Sequence, residues 1–225
     1  MAVFQQLQEK ELKRGRLMTE PDGPAAHAWV KRVSDRVIWA SGLGDKYRWE
    51  YILINAPGTA NAIAFPGGRI IVFTGILPVA RDDAGLATII GHVVGHVMGH
   101  HMAERISKEF VMGFAEEIAR EQGASDSTIA TMRLVNRSIL SQYSRIHETE
   151  ADLIGLLLMS KAGYDPRESV KLWQRMNDAA GEFSRGHEFL HTHPGSGTQI
   201  ADLQAWMQQA LQYYENPSLA LPVLK

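Results

Sequence analysis

The sequence predicts a mostly helical α+β domain in which a small antiparallel sheet packs against two helices that carry metal ligands. Three observations predict it. His92-Val93-Val94-Gly95-His96 sets two imidazoles four residues apart within an apolar helical pattern. Farther along, Glu148-Thr149-Glu150-Ala151-Asp152 sets two carboxylates at the same spacing in a second helical pattern. Between residues 49 and 73 the composition turns β-branched and aromatic around the turn Pro66-Gly67-Gly68, which reads as strands with a hairpin.

In chain order, residues 4–14 read as a polar, exposed helix or arm. Pro21-Asp22-Gly23-Pro24 separates it from a helix whose Trp29, Val30, Val33, Val37 and Ile38 form a core stripe. Strands are expected over 49–55, 61–65 and 69–73. Arg81-Asp82-Asp83 supplies a cap and first-turn acids for the histidine helix, with Leu86, Ile89, Ile90, Val93, Val94 and Val97 as its buried surface; it is expected to run to about Ile106 or beyond. The carboxylate helix is expected over 136–162, with Leu140, Tyr143, Ile146, Leu153, Ile154 and Leu157 as its apolar positions. Asp165-Pro166 opens a further helix with Val170, Trp173 and Met176, residues 181–197 form a Gly- and His-rich loop, and residues 198–214 close the fold. This divides the chain into an arm (1–20), one domain (21–215) and a tail (216–225).

Composition limits the function. With 225 residues and 45% hydrophobic content the chain can bury a full core as one domain. A net charge of -2 leaves no footprint for nucleic acid or an anionic membrane surface. The absence of cysteine excludes disulfides and a thiolate zinc site, and leaves the compartment open. No stretch reaches bilayer-spanning length and the start lacks a signal-peptide core, so membrane association is expected only through segments absent from this chain.

The chemistry lies in the spacing. Residues four apart on a helix lie about 40° from each other around its axis, so His92 and His96 can share one ion. With nine histidines in the chain, the pair alone is weak evidence and would be read as packing. The capped helix, the Glu148/Asp152 pair on one face, and a connection long enough to pack the two helices side by side outweigh that reading. Together they give two imidazoles and one carboxylate for the ion, His92, His96 and Glu148, with Asp152 behind them. In the signature H-E-x-x-H the second residue is the glutamate that deprotonates the metal-bound water; here it is Val93.

From about residue 25 to 214 the chain resembles the gluzincin zinc metallopeptidases of the HtpX, CAAX-prenyl-protease and BepA type. It is most similar to the soluble-domain branch of bacterial periplasmic lipoprotein peptidases and the stress-activated mitochondrial inner-membrane peptidase. The matching motifs are Asn61-Ala62-Ile63-Ala64-Phe65-Pro66-Gly67-Gly68-Arg69-Ile70, Phe73-Thr74-Gly75-Ile76-Leu77, the helix from His92 to Arg105, Tyr143-Ser144-Arg145 before Glu148 and Asp152, and Thr192-His193-Pro194. The resemblance implies a zincin-like fold, one Zn2+ ion, and an endopeptidase of protein quality control acting on unfolded, damaged or membrane-associated proteins. It implies a bacterial periplasm or cell-envelope location, with the mitochondrial intermembrane space as the alternative. The family's glutamate is absent at Val93, which implies an inactivated variant or a natural pseudoprotease that binds extended polypeptide without cleaving it. A metal-free helical interaction protein is the blander reading.

On its residues alone the strand Asn61, Ala62, Ile63, Ala64, Phe65 is equally an ordinary buried hairpin strand or a substrate edge that holds polypeptide extended by backbone hydrogen bonds; the resemblance implies the substrate edge. The resemblance implies that the loop carrying His193 lies near the metal, where His193 would either stabilise an oxyanion or fill the open coordination position. His187 and His191 are weaker candidates in the same loop. His100 and His101 read as structural or surface residues, and His27 and His147 as solvated or packing ones. Arg145 is expected to pair with a carboxylate, and Glu150, about 200° around from Glu148, is a poor replacement base. Gly91, Gly95 and Gly99 signal another backbone packed closely against the histidine helix.

Overall fold

The computed structural model describes residues 2–140, 145–179, 189–190, 193 and 198–222. It is an α+β fold built around one buried helix, α4 (Asp83–Met98), as expected of a zincin-like domain. Every residue of α4 from Gly85 to Val97 is buried, which requires neighbours on all sides. They are α2 (Pro24–Ser41), the short α3 (Leu77–Ala80), α7 (Arg145–Lys161), α8 (Arg167–Ala179) and strand β3 (Ala62–Phe65). Helix α9 (Gln199–Glu215) packs on α7 and α8.

Strands β1 (Leu17–Met18), β2 (Glu50–Ile54), β3 and β4 (Arg69–Phe73) form one sheet in the order β1-β2-β4-β3. The hairpin β3/β4 is antiparallel as expected, but the sheet is mixed, because β2 runs parallel to β4. With β3 on the outer side of β4, β2 can join only its inner side, and does so in the same direction. Alternation then buries both faces: Leu53, Ile70 and Val72 enter the main core, while Ile52, Ile54 and Ile71 lie under α1 (Ala2–Lys13). The expected exposed arm is exposed only on its outer side, since Phe4 is buried against the sheet and meets Phe65 edge-on at 5.7 Å between ring centroids.

Asp82 caps α4, accepting from the Gly85 amide at 2.9 Å. Asp83 accepts from Trp29 Nε1 at 2.8 Å and from Arg32, which ties α2 to the start of α4. Farther along, the glycines meet α7. A Cβ on Gly91 would lie 2.7 Å from the Gly155 carbonyl oxygen, and one on Gly95 2.8 Å from that of Ala151, which is the close backbone approach expected of them. Gly99 faces a side chain instead, the His101 ring.

One of the helix expectations is corrected. The histidine helix does not continue to Ile106: α4 stops at Met98, His100 adopts the left-handed region at φ 56°, and α5 (His101–Glu121) starts afresh. Of the helix expected over 136–162, residues 136–140 belong to α6 (Asp126–Leu140) and 145–161 form α7; residues 141–144, with Tyr143, lie outside the described residues, as does the Leu140 side chain. Ile146, one of the apolar positions of that pattern, is 76% exposed because it precedes the point where α7 enters the core. Among the described residues no helix is long and apolar enough to cross a membrane.

Candidate metal centre

One turn of α4 brings His92 and His96 together, with ring centroids 4.7 Å apart and Nε2 atoms 3.1 Å apart. From α7, Glu148 Oε2 lies 3.3 Å from His92 Nε2, and its Oε1 lies 3.4 Å from His96 Nε2. His193 closes the group, its Nδ1 being 3.2 Å from both His92 Nε2 and Glu148 Oε1. All four side chains are buried and their ligand atoms lie within 4.8 Å of one another.

This arrangement fits a divalent ion. Nitrogen and oxygen ligands about 2.0–2.1 Å from a tetrahedral ion stand about 3.3–3.4 Å apart, close to most of the spacings found here. Glu148 Oε2 is buried without a hydrogen-bond partner, an orphan that an ion would satisfy. Burial opposes a charge on His92, yet the carboxylates of Asp152 and Glu148 outweigh it and raise its pKa to about 9. Burial lowers His96 well below the ordinary value, helped by the neighbouring His92 and His193, and burial also lowers His193. At Glu148 burial acts to raise the pKa, but the neighbouring His193 and His92 hold it below the usual range. A bound cation would take over the role of the proton held at His92.

Both histidines of α4 are oriented from behind. His92 Nδ1 lies 2.9 Å from Asp152 Oδ1, and Gln199 Nε2 donates to Asp152 Oδ2 at 2.7 Å. His96 Nδ1 lies 2.9 Å from His101 Nδ1, and His101 Nε2 lies 3.2 Å from Glu150 Oε2. Trp173 and Phe189 wall the pocket, with centroids 5.7 and 5.5 Å from the His92 ring.

The structure therefore gathers His92, His96, Glu148, Asp152 and His193 in one place. Val93 is buried in the hydrophobic core, where the signature would have a carboxylate. Of the two readings of His101, structural or surface, the structural one holds: it is 1% exposed and touches His96. Gln199, not singled out from the sequence, proves to hold Asp152; no spacing signal marked it. Arg145 is exposed and pairs with no carboxylate among the described residues. His27 contacts the Met18 carbonyl oxygen at 2.8 Å, and His147 stacks on His101. His187 and His191 lie outside the described residues.

β3 is the sheet's edge strand and packs beside α4. The Phe73 amide donates to the Asn61 carbonyl oxygen at 3.0 Å, so in the alternating ladder Asn61, Ile63 and Phe65 bond toward β4. Ala62 and Ala64 turn their backbone groups the other way. The Asn61 side chain accepts from the Ala62 amide at 2.8 Å, which fixes the start of the strand.

Comparison with known proteins gives the same picture. The profile of Peptidase family M48 matches residues 24–207. The chain is 37% identical over 182 residues to the mitochondrial metalloendopeptidase OMA1 of Schizosaccharomyces pombe, covering 81% of this chain and 53% of that one. It is 35% identical over 185 residues to the protein of the same name from Saccharomyces cerevisiae, covering 78% and 52%. It is 23% identical over 189 residues to the beta-barrel assembly-enhancing protease of Yersinia pestis, covering 80% and 38%. The chain thus spans about half the length of the two yeast relatives.

Proposed function

The chain belongs to peptidase family M48, and on that premise we propose that it is a zinc endopeptidase scaffold of protein quality control whose hydrolytic step is disabled at Val93. The observation that carries this reading is the buried cluster of His92, His96, Glu148 and His193 with an aliphatic side chain in place of the general base. Zinc, when bound, supplies the Lewis acidity that polarises a scissile carbonyl and its attacking water. His92, His96 and Glu148 would hold it, and Asp152 keeps the His92 ring turned with Nε2 inward. The outward backbone groups of Ala64 and the outward carbonyl of Ala62, whose amide already bonds the Asn61 side chain, would hold an unfolded or damaged polypeptide extended beside α4. Val93 can neither take nor deliver a proton, and the loss of general-base assistance costs about 10² to 10⁴ in rate.

The retained ligands, Asp152 and edge strand favour an inactivated endopeptidase over a decayed site. Yet His193 stands where a fourth ligand belongs, and a centre closed by four protein ligands is the structural rather than the catalytic type. That observation favours the second reading, a natural pseudoprotease that binds extended polypeptide without cleaving it. The names of the relatives place them in mitochondria or connect them with β-barrel assembly, and a cell-envelope or mitochondrial setting is proposed here on the same ground.

The test is Val93→Glu, alone and with His193→Ala, incubated with casein. Chelator-sensitive cleavage by the single variant supports the inactivated endopeptidase. Cleavage only by the double variant assigns the silence to His193 as well. No cleavage by either, with casein still bound, supports the pseudoprotease.

A further inference from the structure

We propose that Glu150 and His101 act as a positioning pair that fixes the tautomer of His96 and so keeps its Nε2 open for metal. The proposal rests on the metal-centre reading above and adds residues to it.

His96 uses both ring nitrogens. Nε2 faces the ligand group, 3.1 Å from His92 Nε2 and 3.4 Å from Glu148 Oε1, and Nδ1 faces His101 Nδ1 at 2.9 Å. A neutral imidazole has one N–H and one lone pair. For Nε2 to offer its lone pair inward, Nδ1 must carry the proton and donate it to His101 Nδ1. His101 must then accept at Nδ1 and carry its own proton on Nε2. That nitrogen lies 3.2 Å from Glu150 Oε2, a carboxylate oxygen that accepts. The carboxylate thus settles the proton on two rings in succession. Removing this acceptor weakens the hold on the Nε2 proton; with the His101 proton on Nδ1 instead, His96 accepts there and its own proton moves to Nε2, where it blocks an ion.

The local fold is arranged around this contact. Glu150 points about 200° away from Glu148 on α7, so it cannot reach the ligand group directly. The ring of His101 spans the gap because the left-handed His100, at φ 56°, ends α4 and turns the chain back. Gly99 leaves room for that ring, since a Cβ there would lie 2.3 Å from His101 Nε2. The other face of His101 stacks on His147 at 4.3 Å and 15°, and His147 Nε2 is held by Glu104 Oε2 at 2.9 Å. The two metal histidines are thereby braced from one helix: His92 directly by Asp152, His96 through an imidazole spacer by Glu150.

The experiment compares the whole chain with Glu150→Ala, Glu150→Gln and His101→Phe. Zinc affinity is measured by chelator competition, and the His96 tautomer by long-range 15N–1H correlation in the metal-free protein. We expect His96 to carry its proton on Nδ1 in the parent. Glu150→Ala and His101→Phe should mix the tautomers and weaken zinc binding about 10- to 100-fold. Glu150→Gln, whose amide oxygen can still accept, should recover part of that loss. His101→Phe retains the ring stack, so a merely structural His101 would leave both readouts unchanged. Parent-like tautomer and affinity in the variants, or an Nε2-protonated His96 in the parent, would overturn the proposal. A parent that binds no zinc refutes the metal centre itself, while the tautomer measurement still decides the pairing. Glu150 is partly exposed, so its variants remain informative if His101→Phe fails to fold.

Discussion

Gly91 and Gly155 face each other across the α4–α7 seam with no room for a methyl group on either. A Cβ on Gly155 would stand 2.6 Å from the His92 amide nitrogen, and one on Gly91 2.7 Å from the Gly155 carbonyl oxygen. α4 carries the two histidines and α7 the carboxylate, so this seam sets the spacing of the ligand group. Gly155→Ala should force the helices apart, destabilising the fold by about 1–3 kcal/mol and weakening metal binding. Gly113→Ala is the control: it lies within α5, where an added Cβ meets nothing within 4 Å, and should stabilise by about 0.4–1 kcal/mol. Urea denaturation with and without zinc separates the two outcomes.

Metal removal gives a second prediction. Because the ligand group is preformed only in the folded chain, free zinc at a hundredfold excess over its Kd should add about 2.7 kcal/mol of stability. Thermal unfolding with zinc and with chelator should differ accordingly. His92→Ala and Glu148→Ala should each abolish most of that difference, and an unchanged zinc response in either variant would remove that residue from the ligand set.

Regular periodicity is the part of this molecule that is legible in its sequence. His92 with His96, and Glu148 with Asp152, can be placed on shared faces because both pairs lie within unbroken helix. The β3/β4 hairpin is legible from its Pro-Gly-Gly turn. The features that stay hidden depend on a break in the period. In a continuous helix, His101 would lie about 140° around from His96 and could not touch it. The left-handed His100 cancels that angle, and nothing in the composition distinguishes it from an ordinary helical histidine. The same arithmetic keeps Glu150 out of the ligand group, correctly, and is silent about its contact with α5. β1 is two residues long, too short for any alternation to show.

The start of α4 gives a pH-dependent prediction. Arg32's hydrogen bond is the main cause holding the Asp83 carboxyl below its ordinary value of 3.8, against a smaller opposing effect of burial. A carboxyl depressed in the folded state stabilises above its unfolded pKa, and that contribution is lost as pH falls through the lower folded value. The pair is well exposed, with side chains 55% and 38% accessible, so solvent screening keeps the effect small. Asp83→Asn should cost about 0.5–1 kcal/mol at pH 7, including the helix N-terminal charge, and almost nothing once the pH is below the folded value. A destabilisation that persists unchanged into acid would assign the loss to the Trp29 hydrogen bond instead.

The covered outer face of the sheet leads to the last prediction. Phe4 is 3% exposed, meets Phe65 edge-on and lies beneath the Arg69 guanidinium, 5.2 Å from the ring centroid. Phe65 belongs to the proposed substrate strand, while the ligand group lies on the other side of the sheet, among α4, α7 and His193. Phe4→Ala should cost about 3 kcal/mol from the cavity it leaves. It should also loosen β3 at Phe65 without altering the α4–α7 seam. Binding of fluorescently labelled unfolded casein should therefore weaken while zinc affinity stays at the parent value, measured below the variant's lowered Tm. Equal weakening of both would mean that α1 supports the domain as a whole and not the strand in particular.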